Sequence, residues 1–438
     1  MSRRRRRPNL PAAFEVDIEA LSHEGRGIAR VDGKTVFVFG ALPGERVLIQ
    51  VQKVGKSFDE ATTLEIIEAS AQRIQPKCAA FAICGGCSLQ HLSNDDQIIF
   101  KQDSVVGMMA HAAIPVGEVI PALRGQHWGY RRKARLGVKY VRKKEKALVG
   151  FRERNSSFLA DMSRCEVLIP EVGHKLELFA QLIESLQARE QIPQIEVAAD
   201  ADNIQLVFRH LQTLCEADID LILEFGKHHG FNIQLQPAGP DSVVNLYPPQ
   251  QALYFNPLQD SDIRIAFNAL DFVQVNSELN QKMVAQALHY LDLQADDNVL
   301  DLFCGLGNFT LPMAQRCAKV TGIEGDNAMV ERAEQSARAL QINNSEYHAV
   351  DLSRPDSDHA WMKKRYDKIL LDPGAQEIAS QIKRFKACRI IYVSCQPSSL
   401  VRDAAIICAQ GYRLSHLGVM DMFPQTAHVE SMAVFECK

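Results

Sequence analysis

Val299-Leu-Asp-Leu-Phe-Cys-Gly305-Leu-Gly307-Asn308-Phe309 runs from an apolar stretch of strand length into a loop of two glycines and an asparagine. A second apolar run, Ile390 to Val393 in Arg389-Ile-Ile-Tyr-Val-Ser-Cys395-Gln-Pro397, also stops at residues that suit a strand interior poorly. Around these two runs the pattern predicts strands over 298–303, 319–324, 368–372 and 389–393, and helices over 310–316 and 327–340. Such alternation implies a parallel sheet with helices on both faces, whose ligands sit beyond the carboxyl ends of the strands. Two further strands, near 413–420 and 431–436, have no helix between them and should close the chain as an antiparallel hairpin.

The rest of the chain is built differently. At 438 residues it is longer than one core normally grows, so several domains are expected. Short β-rich runs at 14–18, 27–31, 34–39, 46–54 and 62–67, broken by Asp32-Gly33 and Pro43-Gly44, suggest a small barrel. A cysteine cluster follows at Cys78, Cys84, Gly85, Gly86 and Cys87, then a helical pattern over 94–113 and mixed elements to about 265, including a helix near 171–190. The division expected is 1–70 with a basic arm at 1–10, then 71–268, then 269–438.

Composition sets limits. With 46% hydrophobic and 23% charged residues the chain reads as ordinary globular protein, and no apolar run approaches the roughly 18 residues of a membrane span. Arg3 to Arg7 have no apolar segment behind them to make a signal peptide. Eleven cysteines, an odd number scattered through a long chain, argue for a reducing compartment, and a cytoplasmic, monomeric protein is expected. The net charge of -4 hides a segment from Arg124 to Arg154 with twelve Lys or Arg against Glu145 and Glu153, interleaved with Trp128, Tyr130, Tyr140 and Phe151. A lone charge run is commonly a solvated strand face. Here the aromatic residues and the second basic element at Arg3 to Arg7 favour nucleic acid.

The loop after Phe303 is neither the dinucleotide fingerprint, since the third glycine is missing, nor a P-loop, since no Lys-Ser/Thr follows. Its glycines let backbone approach an adenosyl group, and Glu324 at the end of the next strand can take both ribose hydroxyls. The spelling Asp301-Leu-Phe-Cys-Gly-Leu-Gly-Asn-Phe resembles motif I of the class I (Rossmann-like) S-adenosyl-L-methionine methyltransferases, in the RNA uracil-5 branch. Leu21, Gly25, Gly27-Ile-Ala, Gly33, Val36-Phe-Val-Phe-Gly40 and Leu42-Pro-Gly-Glu45 resemble the TRAM domain, an RNA-binding barrel related to the OB fold.

Carbon 5 of uracil is a poor nucleophile until a thiolate adds to carbon 6, and after methyl transfer a base must remove the carbon-5 proton. That chemistry asks for one cysteine and one carboxylate, and Tyr392-Val-Ser-Cys395 and His428-Val-Glu430 supply them. A free thiol titrates near 8.5, so activation of Cys395 by its surroundings is expected. The resemblance to the RNA uracil-5 methyltransferase family implies Cys395 as nucleophile, Glu430 as proton acceptor, Gln274, Phe303, Asn308, Glu324, Asp351 and Asp372 as cofactor or active-site positions, and Phe272 as a ring contacting bases. The chain departs from the family in having no Arg in Asp372-Pro373-Gly-Ala-Gln-Glu377 and in Gln396 where Asn is usual.

Cys78, Cys84 and Cys87, with Cys165, suit zinc or an iron-sulfur cluster on chemistry alone. Three close ligands and one distant one resemble the 4Fe-4S site of the family branch that modifies 23S ribosomal RNA, which also carries a TRAM domain. The resemblance therefore implies a 23S ribosomal RNA substrate, an iron-sulfur central domain and a structural cluster. A family member acting on tRNA and a non-catalytic RNA-binding protein are the competing readings. The radical-enzyme pattern, three cysteines with an open iron, does not match the spacing from Cys78 to Cys84.

Overall fold

The computed structural model describes residues 10–249, 252–354, 359–372 and 376–438. The arginines at 3–7 and the stretch 373–375, where the Arg is missing, lie outside the described residues.

The C-terminal sheet has eight strands, in spatial order Ser345–Ala349, Lys319–Glu324, Asn298–Leu302, Lys368–Leu371, Arg389–Ser394, Glu430–Cys437, Tyr412–Met420 and Glu118–Val119. The first five run parallel. From Asn298–Leu302 the chain steps outward through two strands and then returns to Lys368–Leu371 on the other side. Strand order thus reverses between Leu302 and Leu371, which opens a crevice at their carboxyl ends. Asn298–Leu302, Lys368–Leu371 and Arg389–Ser394 are buried almost throughout, as strands covered on both faces must be.

The expected terminal hairpin is present and antiparallel. It does not merely extend the edge: Glu430–Cys437 inserts between Tyr412–Met420 and Arg389–Ser394, pairing Ser431 with Ser394. Helix Asn94–His111 starts at Ser93, whose hydroxyl accepts from the Asp96 N–H, with Asp95 and Asp96 in the first turn. Its Ile98, Val105 and Met109 join the core of the C-terminal sheet, and Glu118–Val119 adds the last strand. A segment some 150 residues upstream is therefore part of this unit.

The N-terminal part is a six-stranded sheet, Phe14–Asp17, Arg46–Val54, Phe58–Glu68, Lys34–Phe39, Gly27–Val31 and Ala20–Leu21, around a small core including Val36, Val38, Val47 and Ile49. The central part is another six-stranded sheet, from Val244–Tyr247 to Lys146–Gly150, packed against helices Leu176–Ser185 and Glu216–His229. The single helix expected near 171–190 is in fact two, Pro170–Gly173 and Leu176–Ser185.

Candidate active site

The antiparallel insertion assembles the site. Cys395 follows the last residue of its strand and Glu430 opens the inserted one, so each directly adjoins a member of the Ser394–Ser431 pair. Asp372 lies at the neighbouring strand end, its N–H donating to the Leu302 carbonyl at 3.2 Å inside the crevice. Glu430 is 2% exposed, whereas Cys395 is open to solvent.

Their charges interact. Burial raises the Glu430 carboxyl well above the usual range, and the Asp372 charge pushes it the same way. Burial likewise lifts Asp372 to about 7. The thiol of Cys395 is raised by burial first and then by Glu430 and Asp372. These surroundings raise the thiol, through burial first and then through the two carboxyls, opposite in direction to the activation expected.

The cofactor loop follows Leu302. Phe303 adopts a left-handed φ of 64°, which turns the chain out of the strand. Gly307 has φ of 94° and a Cβ there would meet Leu311 at 3.1 Å, so glycine is required on two grounds. Glu324 accepts from the Gly305 N–H at 3.0 Å and from those of Gly325 and Asp326, which fixes its carboxylate against the loop. Asn308 exchanges two amide hydrogen bonds with Asn280, each 2.9 Å, and Asn280 lines a cavity together with Gln274. Gln274 and Asn308 are thereby brought together. Asp351 is exposed at the end of the chain segment after Ser345–Ala349 and accepts from Ser353. Phe272 is 73% exposed and lines a different cleft, with Arg135 and Arg332, rather than the cavities of Cys395.

Three buried polar residues near these positions were given no role of their own by the sequence reading. Asn280 sits in helix Ser277–Leu291, whose one signal was its cap Asn276, accepting from the Leu279 N–H. Asp301 is fully buried, accepts from the Thr310 hydroxyl through one oxygen, leaves the other without a partner, and is raised to about 7 by burial. Lys101, equally buried, is paired with Asp421 at 2.6 Å. Nothing in the spacing of Lys101 marks it out.

Two adjoining cavities of about 560 and 480 Å³ share Cys395 as a wall. The first is lined by His23 and Glu24 of the N-terminal sheet and by helix Asn94–His111. The second is lined by Cys78, Cys84, Cys87 and Cys165. Burial raises all four thiols, Cys87 to about 12 and Cys165 to about 11, and neighbouring thiols add to this at Cys78, Cys87 and Cys165. Arg154 donates to the carbonyls of Cys84 and Cys87, which pins the turn. Among the described residues, however, no three His, Cys, Asp or Glu side chains stand as ligands of one metal ion. The four cysteines line one cavity, but a metal site is not shown among the described residues.

The basic segment is less free than its composition suggests. Arg124, Arg135 and Arg142 are paired with Asp95, Glu196 and Glu190, and Lys144 and Lys146 share Asp161. Lys133 turns inward to the carbonyls of Ala269 and Asp271, holding the approach to Gln274.

The model of the family described as tRNA (Uracil-5-)-methyltransferase matches residues 251–438, and the TRAM domain model matches residues 12–63. The 23S rRNA (uracil(1939)-C(5))-methyltransferase RlmD of Alcanivorax borkumensis is 48% identical over 99% of this chain and 98% of its own length. The protein of the same name from Hahella chejuensis is 47% identical over 99% of each chain. The fold resembles the crystal structure of Pyrococcus abyssi tRNA (uracil-54, C5)-methyltransferase in complex with S-adenosyl-L-homocysteine, with TM-score 0.72, 20% identity, and 96% of this chain and 99% of that chain covered.

Proposed function

Because the chain belongs to the RNA uracil-5 methyltransferase family and is an S-adenosylmethionine-dependent enzyme, we propose that it methylates carbon 5 of a uridine in 23S ribosomal RNA, with Cys395 as nucleophile and Glu430 as proton acceptor. The substrate is the one named for relatives matching end to end at 47–48% identity. The observation that carries the mechanism is that Cys395 and Glu430 directly adjoin the Ser394–Ser431 pair, beside Asp372 at the reversal of strand order.

In the reaction the Cys395 thiolate adds to carbon 6, and the electron pair of the 5,6 double bond moves toward carbon 5. Carbon 5 then takes the methyl group that a bound S-adenosylmethionine would supply: the carbon 5–methyl bond forms and the sulfur–methyl bond breaks, its electron pair remaining on the sulfur of S-adenosylhomocysteine. Glu430 then takes the carbon-5 proton, the double bond re-forms, and the Cys395–carbon 6 bond breaks to return the thiolate. S-adenosylmethionine supplies the methyl group and a positive charge in a site rich in carboxyls. Gln274, Phe303, Asn308, Glu324, Asp351 and Asp372 would hold it in the crevice, and Phe272 would meet the RNA. Burial, and after it the carboxyls of Glu430 and Asp372, oppose ionisation of the Cys395 thiol, and a cationic cofactor bound beside it would work against that effect.

The four cysteines line one cavity of about 480 Å³ and suit zinc or a 4Fe-4S cluster on chemistry alone, and the family resemblance favours the cluster. Such a cluster would tie the Cys78–Cys87 turn to Cys165, and the methyl transfer requires no redox step. The division at 70 and 268, with the iron-sulfur part between, remains part of the proposal. So do a monomeric state and a cytoplasmic one, the latter in keeping with eleven cysteines of which none is paired.

The test is methyl transfer from labelled S-adenosylmethionine into protein-free 23S ribosomal RNA and bulk tRNA, with nucleosides mapped by mass spectrometry. 5-Methyluridine in the ribosomal RNA is expected. Label confined to tRNA would move the enzyme to the other branch, and label in neither would overturn the reading.

A further inference from the structure

Glu430 is reached through a nine-residue connection, 421–429, between Tyr412–Met420 and its own strand. Surface loops of that length ordinarily hold their ends loosely. This one is held by a segment more than 290 residues upstream. The Lys101 ammonium donates to Asp421 at 2.6 Å and to the Phe423 carbonyl at 3.1 Å, and the Tyr130 hydroxyl donates to the Pro424 carbonyl at 2.9 Å.

Gln425 is the centre of these contacts. Its N–H donates to Gln97 Oε1 at 2.9 Å, while Gln97 Nε2 donates back to Gln425 Oε1 at 3.1 Å. Its own Nε2 donates to Asn94 Oδ1 at 2.8 Å. Its carbonyl accepts from the N–H groups of Ser88 and Leu89, at 2.9 and 3.0 Å, directly after Cys87. The Ser88 hydroxyl then accepts from the Ala427 N–H at 2.9 Å, two residues further toward Glu430. Gln425 is 1% exposed and has φ of 71°, a conformation that a residue with a Cβ adopts only when its surroundings over-determine it. A buried amide with every donor and acceptor answered is a rigid joint.

We propose that Gln425 is a positioning residue, which with Gln97 and the Ser88–Leu89 backbone aims Glu430 at the carbon-5 proton. It touches neither substrate nor cofactor and acts through the carboxylate five residues on. The proposal rests on the reading of Glu430 as proton acceptor. Proton removal follows methyl transfer, so a displaced Glu430 slows release of the covalent RNA adduct and spares its formation.

Gln425→Ala, Gln97→Ala, the double variant and Glu430→Gln are compared as full-length enzyme in single-turnover assays, with the adduct followed on denaturing gels. Gln425→Ala is expected to slow adduct release by on the order of 10-fold to 100-fold, since displacements near 1 Å cost that much. Adduct formation and the KM for S-adenosylmethionine should stay as in the wild type. The double variant should be no slower than the worse single one, because both cut the same joint. Release at the wild-type rate in Gln425→Ala, or single effects that multiply in the double variant, overturns the proposal. If Gln425→Ala shows no cooperative melting, Gln425→Glu, which keeps the acceptor and loses the donor to Asn94, is held to the same expectation. If Glu430→Gln itself builds up no adduct, the assignment of the base fails and the proposal with it. If Glu430→Gln does and Gln425→Ala does not, positioning alone fails.

Discussion

Cys395 and Glu430 each directly adjoin a member of the Ser394–Ser431 pair, on strands that are neighbours only because the terminal hairpin inserts antiparallel to the rest of the sheet. A parallel sheet presents its loops at one end, and the reversed strand delivers the start of a strand to that same end. The proposed nucleophile and base thus come from opposite strand termini. Cys395→Ala should bind RNA and S-adenosylmethionine yet lose turnover by about 10^4-fold or more. Calorimetry and product assay check this, and retained turnover would remove the mechanism.

The same proximity sets a pH dependence. The Cys395 thiol is raised and in the proposed reaction adds to carbon 6 only as thiolate, whereas the raised Glu430 carboxyl acts only after methyl transfer. The rate of adduct formation should therefore climb with pH into the alkaline range rather than level off near neutrality. Asp372→Asn removes a charge that raises both groups, so its rising limb should shift toward acid even as its maximal rate falls. A limb that shifts toward alkali would contradict the electrostatics.

Asp301 has its own signature. Its folded pKa of about 7 exceeds that of an unfolded Asp, near 3.9, so the stability it favours is complete below about pH 4 and is lost as pH rises through 7. Asp301→Asn should flatten that decline in melting temperature between pH 4 and 7. An unchanged slope would mean the group is ionised in the fold.

Phe272 offers a simple separation of binding from folding. Fully truncating a ring that is 73% exposed should leave thermal stability unchanged. If a base stacks on it, Phe272→Ala should raise the KM for RNA by about 10-fold, within the range of stacking contributions. An unaltered KM would show that RNA does not reach this cleft.

For the cysteines, anaerobically purified wild-type protein should be coloured and contain iron, whereas Cys84→Ala and Cys165→Ala should lose both. Zinc in colourless wild-type protein would replace the cluster with a mononuclear site.

Much of this was legible in the sequence because its signals are local. Apolar runs located four of the five parallel strands, whereas the readings of Cys395 and Glu430 came from the chemistry of uracil methylation and the family resemblance. Strand Ser345–Ala349 was missed because Ser-Glu-Tyr-His-Ala at a sheet edge buries only Tyr347 and carries no apolar period. Helix Ser277–Leu291 was missed for want of a strand on its near side to pair it with. Lys101–Asp421 and Gln97–Gln425 were illegible for a different reason: each partner is polar, unremarkable in its own neighbourhood, and meaningful only once the fold has joined them. The raised thiol of Cys395 belongs to the same class, since Asp372 and Glu430 are 23 and 35 positions away in opposite directions.

The edge strand Glu118–Val119 and helix Asn94–His111 have a consequence for how the chain comes into being. Both are synthesised some 200 residues or more before the strands they cover, and Tyr412–Met420, on which Glu118–Val119 docks, is among the last parts to emerge. Until then Ile98, Val105, Met109 and Ile114 have no partner surface. A fragment starting at 269 would expose the matching face and aggregate. Translation of this enzyme therefore ends before its catalytic unit can close, and its own N-terminal third must wait, exposed, for the C-terminus.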